Sequence, residues 1–140
     1  QQEREEPYKL QYSFTTNPEI INTKLYISPF LNETMSENPL KQNERKYPID
    51  MIYPMKRIYM CTIIIPDGYQ VDFVPKDLKI NNELFELNYS IKSDSRKLMI
   101  DFNYYFKKPV YQSAEFMRIK LFFNEIVKKG NEKIVLIKVI

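Results

Sequence analysis

Few side chains in this sequence are equipped for chemistry. Among 140 residues there is no histidine and one cysteine, Cys61. A thiol attacks as its thiolate, and without imidazole the commonest group for drawing off that proton is missing. The composition excludes Cys-His and Ser-His nucleophile pairs, histidine-bearing zinc sites, multi-cysteine zinc sites and an internal disulfide. Cys61 lies in an apolar run and is expected to be a buried structural thiol. Carboxylates remain. Asp72, Asp77, Glu83 and Glu86 are the residues from which an acid and base pair for sugar hydrolysis would be drawn. They fall in turns or at water-facing strand positions, and nothing in the spacing makes two of them converge. Tyr104 and Tyr105 are candidates to stack on a carbohydrate, although most rings in strands this aromatic belong to the core. The expectation is a chain without catalytic residues, cofactor or metal.

The densest group of marked positions is NERKYPIDMIYP, Asn43 to Pro54. Proline cannot donate to a β-ladder and biases its predecessor toward extended geometry. Tyr47-Pro48 and Tyr53-Pro54 should therefore fix where the chain enters and leaves an edge or inter-sheet strand. Within it Ile49 and Met51 share one face, Asp50 and Ile52 the other. Arg45 and Asp50 are expected to form an ion pair or backbone hydrogen bonds that pin the preceding loop to this strand. Arg45, Tyr47, Asp50 and Tyr53 thus make either a loop clamp or a surface for docking another domain.

The elements that must position these residues belong to a single folded domain. The hydrophobic fraction of 44% beside 28% charged residues is that of a globular chain. The net charge is +3, and the basic residues occur singly or as pairs such as Lys56-Arg57, Lys107-Lys108 and Lys128-Lys129. A nucleic-acid surface needs them clustered, so no nucleic-acid partner is expected. No apolar run approaches the roughly 20 residues that span a bilayer. The opening QQEREEPY lacks the features of a signal peptide, so a signal for export would lie upstream of Gln1.

With eleven Tyr, nine Phe and two Gly, the chain reads as strands joined by Pro, Asn and Asp turns. Phe85 to Lys92 and Leu98 to Phe106 alternate apolar and polar residues around Ser93–Arg96, the pattern of a hairpin with one face on a core. Further strands are expected at Tyr8–Phe14, Lys24–Ile27, Tyr47–Tyr53, Ile58–Ile65, Val71–Val74 and Lys133–Val139. The run Ile58–Ile65 is apolar on both faces and is expected to be central, covered on each side. Pro66-Asp67-Gly68 closes it, with Gly68 free to take a positive φ. Phe116, Ile119, Phe122, Phe123, Ile126 and Val127 recur at helical spacing. Ser113 is a plausible cap, Glu115 sits in the first turn, and Lys128, Lys129 and Gly130 mark the end. This amphipathic helix, about residues 113–129, should pack its stripe on the sheet; a partner-binding or membrane-surface role is the alternative. LNETMSENPLKQNERK, between Phe30 and Tyr47, is a long polar loop that either connects the sheets or docks on a neighbouring domain.

The order of several short motifs resembles a known family. Ser28-Pro29-Phe30-Leu31, Glu37-Asn38-Pro39-Leu40-Lys41, Arg45-Lys46-Tyr47-Pro48-Ile49-Asp50, Tyr53-Pro54, Ile65-Pro66-Asp67-Gly68-Tyr69 and Pro75 follow one another as in a C-terminal domain of unknown function. That domain follows a transglutaminase-like domain in exported multidomain proteins of Gram-negative gut bacteria. Lys108-Pro109-Val110-Tyr111 before the Phe116 helix, and the closing Ile134-Val135-Leu136-Ile137, are similar to its ending. The resemblance runs from residue 25 to the C-terminus. Ser28 stands where the family often has Asn, and residues 1–24 have no clear counterpart. In such proteins the Cys, His and Asp triad belongs to a separate papain-like domain. The resemblance thus implies a non-catalytic accessory module, exported to the periplasm or cell surface, with no catalytic residues to carry over. The combined expectation is a mainly β protein: an antiparallel, immunoglobulin-like β-sandwich over residues 25–140, with one amphipathic helix before the last strand. Residues 1–24 would be an N-terminal extension with one strand. The role is accessory to a transglutaminase-like domain. A stand-alone carbohydrate- or protein-binding module is the alternative, and it requires an exposed aromatic platform.

Overall fold

A computed structural model of the chain describes residues 19–21, 23–31, 34–51, 55–94 and 96–139. Its strands are β1 (Glu19–Ile21), β2 (Lys24–Ile27), β3 (Ile49–Asp50), β4 (Met55–Ile64), β5 (Tyr69–Phe73), β6 (Leu78–Asn81), β7 (Phe85–Asp94), β8 (Lys97–Phe106), β9 (Val110–Tyr111) and β10 (Ile134–Lys138). A 3-10 turn, Ser113–Glu115, leads into α1 (Phe116–Asn131), which precedes β10. The strands form a sheet of order β1-β2-β10-β5, a larger one of order β4-β8-β7-β6, and the small pair β3-β9. All pairings are antiparallel. The sandwich with one late helix is therefore the architecture that forms. The strand expected at Tyr8–Phe14 lies outside the described residues.

Alternation builds the hairpin as expected. Phe85 faces Phe106 across the ladder, Leu87 faces Tyr104, Tyr89 faces Phe102 and Ile91 faces Ile100. Seven of these eight side chains are buried, and Ile91 is partly so. Leu25 of β2 and Ile134 and Leu136 of β10 close the core from the opposite sheet. α1 turns its apolar stripe onto one end of the hairpin. The Phe122 ring stacks on Phe85 at 4.0 Å and meets Phe106 edge-on at 5.2 Å, and Phe123 lies 5.0 Å from Phe106. Burying such side chains stabilises by roughly 1.5–3 kcal/mol each, so the helix belongs to the core. Gly68 takes a φ of +82° in the turn after β4, where the Tyr69 N–H donates to Pro66 O at 3.2 Å.

Several expectations are corrected. The apolar run Ile58–Ile65 is not central. β4 ends its sheet, with Ile58, Met60 and Ile64 exposed on the outer face and Tyr59, Cys61 and Ile63 turned inward. In this sheet the strands with neighbours on both sides are β8 and β7, whose sequences alternate. The 47–53 strand contributes only Ile49–Asp50 among the described residues, and Tyr53 lies outside them. Short β1, β6 and β9 carried too few residues for a period to show. β1 falls within the expected 1–24 extension and pairs with β2 through a turn in which Thr23 has a φ of +69°. Ser113 is not the helix cap. The Gln112 N–H donates to Glu115 Oε1 at 2.9 Å and the Glu115 N–H to Gln112 O at 2.9 Å, so the pair Gln112–Glu115 fills that place. Lys128, Lys129 and Gly130 do mark the last turn of the helix, which ends at Asn131, but Gly130 has a packing role the sequence did not show. A Cβ there would lie 2.8 Å from Thr34 Oγ1 and 3.4 Å from the Phe102 ring, so close packing requires the glycine.

Candidate functional site

The long loop docks on the chain's own helix. One polar stripe of α1, beside its apolar one, carries Lys120, Asn124 and Asn131, spaced by four and seven residues. Thr34 Oγ1 donates to Gly130 O at 3.1 Å, and Asn131 Nδ2 donates to Met35 O at 3.0 Å. Asn38 Nδ2 donates to Lys120 O at 2.9 Å and to Asn124 Oδ1 at 2.7 Å. Its Oδ1 accepts from the Leu40 N–H at 2.8 Å, which holds the turn in the loop. Lys120 Nζ donates to Gln42 O. Residues 34–42 are thus a strap along α1, secured by side chains that sequence reasoning did not single out. The Asn residues in the helix were the available signal, because Asn is a poor helix former unless its amide has a partner.

Beyond the strap, Arg45 turns onto the entry to β3. Its Nε donates to Tyr47 O at 2.9 Å and its Nη2 to Pro48 O at 3.2 Å. The Tyr47 side chain is 77% exposed. Ile49 is buried opposite Tyr111, and Asp50 is exposed opposite Val110. The Met51 N–H donates to Pro109 O at 2.6 Å, which ties this strand to the approach to the helix. Arg45, Tyr47 and Asp50 therefore lie together on the loop's exit, with an aromatic ring and a carboxylate facing water.

The chemistry-bearing residues are dispersed. Cys61 was expected to be buried, but it is only partly so, because the edge position of β4 leaves one flank of the strand uncovered. Burial still raises its thiol above the ordinary range, which opposes thiolate formation at neutral pH. Each carboxylate is engaged separately. Asp72 pairs with Lys24 at 3.0 Å, and Asp77 accepts from the Ile91 N–H at 3.1 Å. Glu83 pairs with Arg118 at 2.9 Å, and Glu86 accepts from Asn88 Nδ2 at 3.1 Å. Glu83 is held below the usual carboxylate range by its own backbone N–H and then by Arg118. Among the described residues no three Asp, Glu or Cys side chains gather closely enough to hold a metal ion, and no helix is long and apolar enough to cross a membrane.

Aromatic and buried polar groups follow the same division. Tyr104 is buried, and Tyr105 lies on the outer face between Lys56 and Glu86. The exposed rings of Tyr47 and Phe73 lie on different elements, Tyr47 in the loop before β3 and Phe73 at the end of β5. Lys129 is buried, its Nζ donating to Lys76 O at 2.6 Å, pairing with Glu132 at 3.1 Å and lying 5.0 Å from the centre of the Tyr89 ring. Such partners offset the cost of taking the side chain's polar end out of water. Tyr89 is raised well above the ordinary phenol range, mainly by desolvation. A surface depression of about 510 Å³ lies between Gly68, Tyr69, Ser93 and Arg96. Its cation is engaged: Arg96 pairs with Asp67 at 2.6 Å and donates to Ile65 O at 3.4 Å.

The family model described as "Domain of Unknown Function with solved-structure structure (DUF3858)" matches residues 23–136. No curated protein matches the chain. A crystal structure from Parabacteroides distasonis ATCC 8503, of a protein provisionally described as a protease, shares the fold with a TM-score of 0.65 at 10% identity. The likeness covers 83% of this chain but 24% of that one, so the chain spans about a quarter of its neighbour's length.

Proposed function

This chain belongs to the DUF3858 family, and on that premise we propose that it is a non-catalytic accessory module of a transglutaminase-like protein, exported to the periplasm or cell surface. The observation that carries the reading is the asymmetry of the structural match: 83% of this chain corresponds to 24% of a much larger one. The same fold there is one part of a protein with room for other domains. The residues of this chain support a role at its surface. The Cys61 thiol is raised by burial, and the four weighed carboxylates are each tied to a cation, an amide or the backbone. The transglutaminase-like partner and the exported location come from the motif order at residues 28–31, 37–41, 45–50 and 65–69.

The exit of the strap is the face assigned to that partner. Arg45 fixes the backbone at Tyr47 and Pro48, which holds the exposed Tyr47 ring and Asp50 in place before any partner arrives. An aromatic presented on a fixed backbone costs little ordering entropy on docking. The test combines the purified chain with the transglutaminase-like domain of a related full-length protein and measures association by calorimetry. Hydrolysis of labelled casein and amine incorporation into a glutamine peptide are assayed for the chain alone. Association that weakens at least about tenfold in Tyr47→Ala, as for a buried aromatic anchor, with no turnover by the chain, is the expected result. Turnover by the isolated chain overturns the non-catalytic assignment, and absence of association overturns the accessory one.

A further inference from the structure

The strap along α1 is held in two ways. Its first end is locked into the interior: Thr34 is buried, donates to Gly130 O at 3.1 Å, and leaves no room for a Cβ at Gly130. So is its far end, where Ile49 is buried opposite Tyr111 and the Met51 N–H donates to Pro109 O at 2.6 Å. The middle is different. Residues 36–48 form no helix or strand, residues 41–44 and 46–48 are exposed, and Leu40 rests on the core only partly buried. Asn38 carries the attachment. Its Nδ2 donates to Lys120 O and Asn124 Oδ1 while its Oδ1 holds the Leu40 N–H, so one side chain fixes the strap to the helix and shapes the turn within it. The Asn38–Asn124 bond is exposed, and so is the second tie, from Lys120 Nζ to Gln42 O. A segment with little apolar burial and water-facing polar bonds opens at lower free energy than the core beneath it.

We propose that residues 36–48 lift from α1 as one piece, with Thr34 and Ile49 as pivots and the Asn38–Asn124 pair as the catch, while the sandwich stays folded. Arg45 moves with the strap, because the carbonyls to which it donates, Tyr47 O and Pro48 O, belong to the same segment. The Tyr47 ring therefore has a fixed place only while the catch is closed. Resting on the docking role given above to that ring, the closed strap is the form the partner binds. A ligand that selects one of two forms suppresses the other in proportion to its occupancy. Docking at Tyr47 is thus felt at Leu40.

The first test uses the 140-residue chain and two readouts: exchange of the Leu40 amide followed by NMR, and tryptic nicking after Arg45 or Lys46 followed by mass spectrometry. In the wild type both should proceed without unfolding, so the β8 amides exchange at least about a hundredfold more slowly than Leu40. Asn124→Ala removes the catch, leaves the Asn38–Leu40 bond untouched and favours the helix. It should speed both readouts by one common factor of at least about threefold, the worth of a modest hydrogen bond, with β8 exchange unchanged. Asn124→Asp keeps the acceptor and should stay within about twofold of wild type. Readouts that ignore Asn124→Ala, or that respond by unequal factors, overturn the lifting strap, as does equal acceleration of β8. The second test adds the transglutaminase-like domain at saturation. Slower Leu40 exchange is expected, and unchanged or faster exchange under a bound partner overturns the closed strap as the form it selects. No association, with the Asn124→Ala response intact, sinks the docking role while the strap stands.

Discussion

Strands β4 and β8 lie side by side over ten paired positions, yet their sequences suggest the opposite of their places. From Ile58 to Ile64 β4 is the most continuous apolar run among the strands, and it forms the margin of its sheet among the described residues. β8 reads Leu98-Met-Ile-Asp-Phe-Asn-Tyr-Tyr-Phe, half of it polar or amphipathic, and it has a neighbour on each side. Its inward residues Leu98, Ile100, Phe102, Tyr104 and Phe106 are all buried, while the outward Ile58, Met60 and Ile64 of β4 face solvent. In an antiparallel sheet with one wet face, lateral position and facial burial are independent. Hydrophobicity summed along a strand reports neither, and alternation reports only the second.

That contrast can be broken most sharply at Phe102. Its ring is fully buried between Phe30, Tyr59, Tyr89 and Tyr104. Phe102→Ala should lower the unfolding free energy by about 3–5 kcal/mol in denaturant titration. A loss no larger than that of a surface substitution would show that β8 is not the central support. Next comes Gly130→Ala, which drives a methyl group toward Thr34 and the same Phe102 ring. Overpacking costs about 1–3 kcal/mol, against about 1 kcal/mol that alanine returns in helix propensity, so a net loss is expected. The paired variant Thr34→Gly should recover part of the melting temperature.

A smaller effect is expected at Glu115, where α1 begins its approach to the β8 end of the core. The carboxylate accepts from the Gln112 N–H and pairs with Lys108 at 3.0 Å. These partners, the backbone N–H first, hold its pKa below the usual range. The stabilisation is therefore complete above the ordinary carboxylate pKa and fades as pH falls through the depressed folded value. Glu115→Gln keeps an acceptor for the Gln112 N–H but removes the charge paired with Lys108, and should cost up to about 1 kcal/mol at pH 7. The difference from wild type should shrink in thermal melts taken at progressively lower pH. Smallest of all, Met60→Ser on β4 should change the stability of the single chain by less than about 0.5 kcal/mol. A loss of several kcal/mol there would mean that the outer face of β4 is covered.

Much of the fold was legible because it rests on local periods. The β7–β8 hairpin followed from period-two alternation, α1 from its 3.6-residue stripe, and the turn after β4 from the glycine at residue 68. The position of β4 was not legible, since its apolar outer residues mimic the signature of a strand covered on both faces. Nor was the strap. Thr34, Asn38 and Asn131 are ordinary polar residues until the helix and loop are brought together, with Thr34 and Gly130 separated by 96 positions. Of the candidate site, the sequence indicated the Tyr47-Pro48 entry to a strand and the proximity of Arg45 to it. It left open whether Arg45 would bond to the backbone or to Asp50; the bonds that form go to Tyr47 O and Pro48 O, and that other side chains fasten the loop to the helix could not be read from the sequence.

The place of β10 has a consequence for how the protein comes to be made. It is threaded between β2 and β5, so neither of these can complete its hydrogen bonding until a segment beyond residue 134 is at hand. A ribosome delivers β2 more than a hundred residues before that closing strand. The β7–β8 hairpin, by contrast, can zip as soon as it emerges. Birth on the ribosome therefore leaves one sheet waiting in halves for a keystone that arrives last, and the opposite sheet is the platform on which it waits.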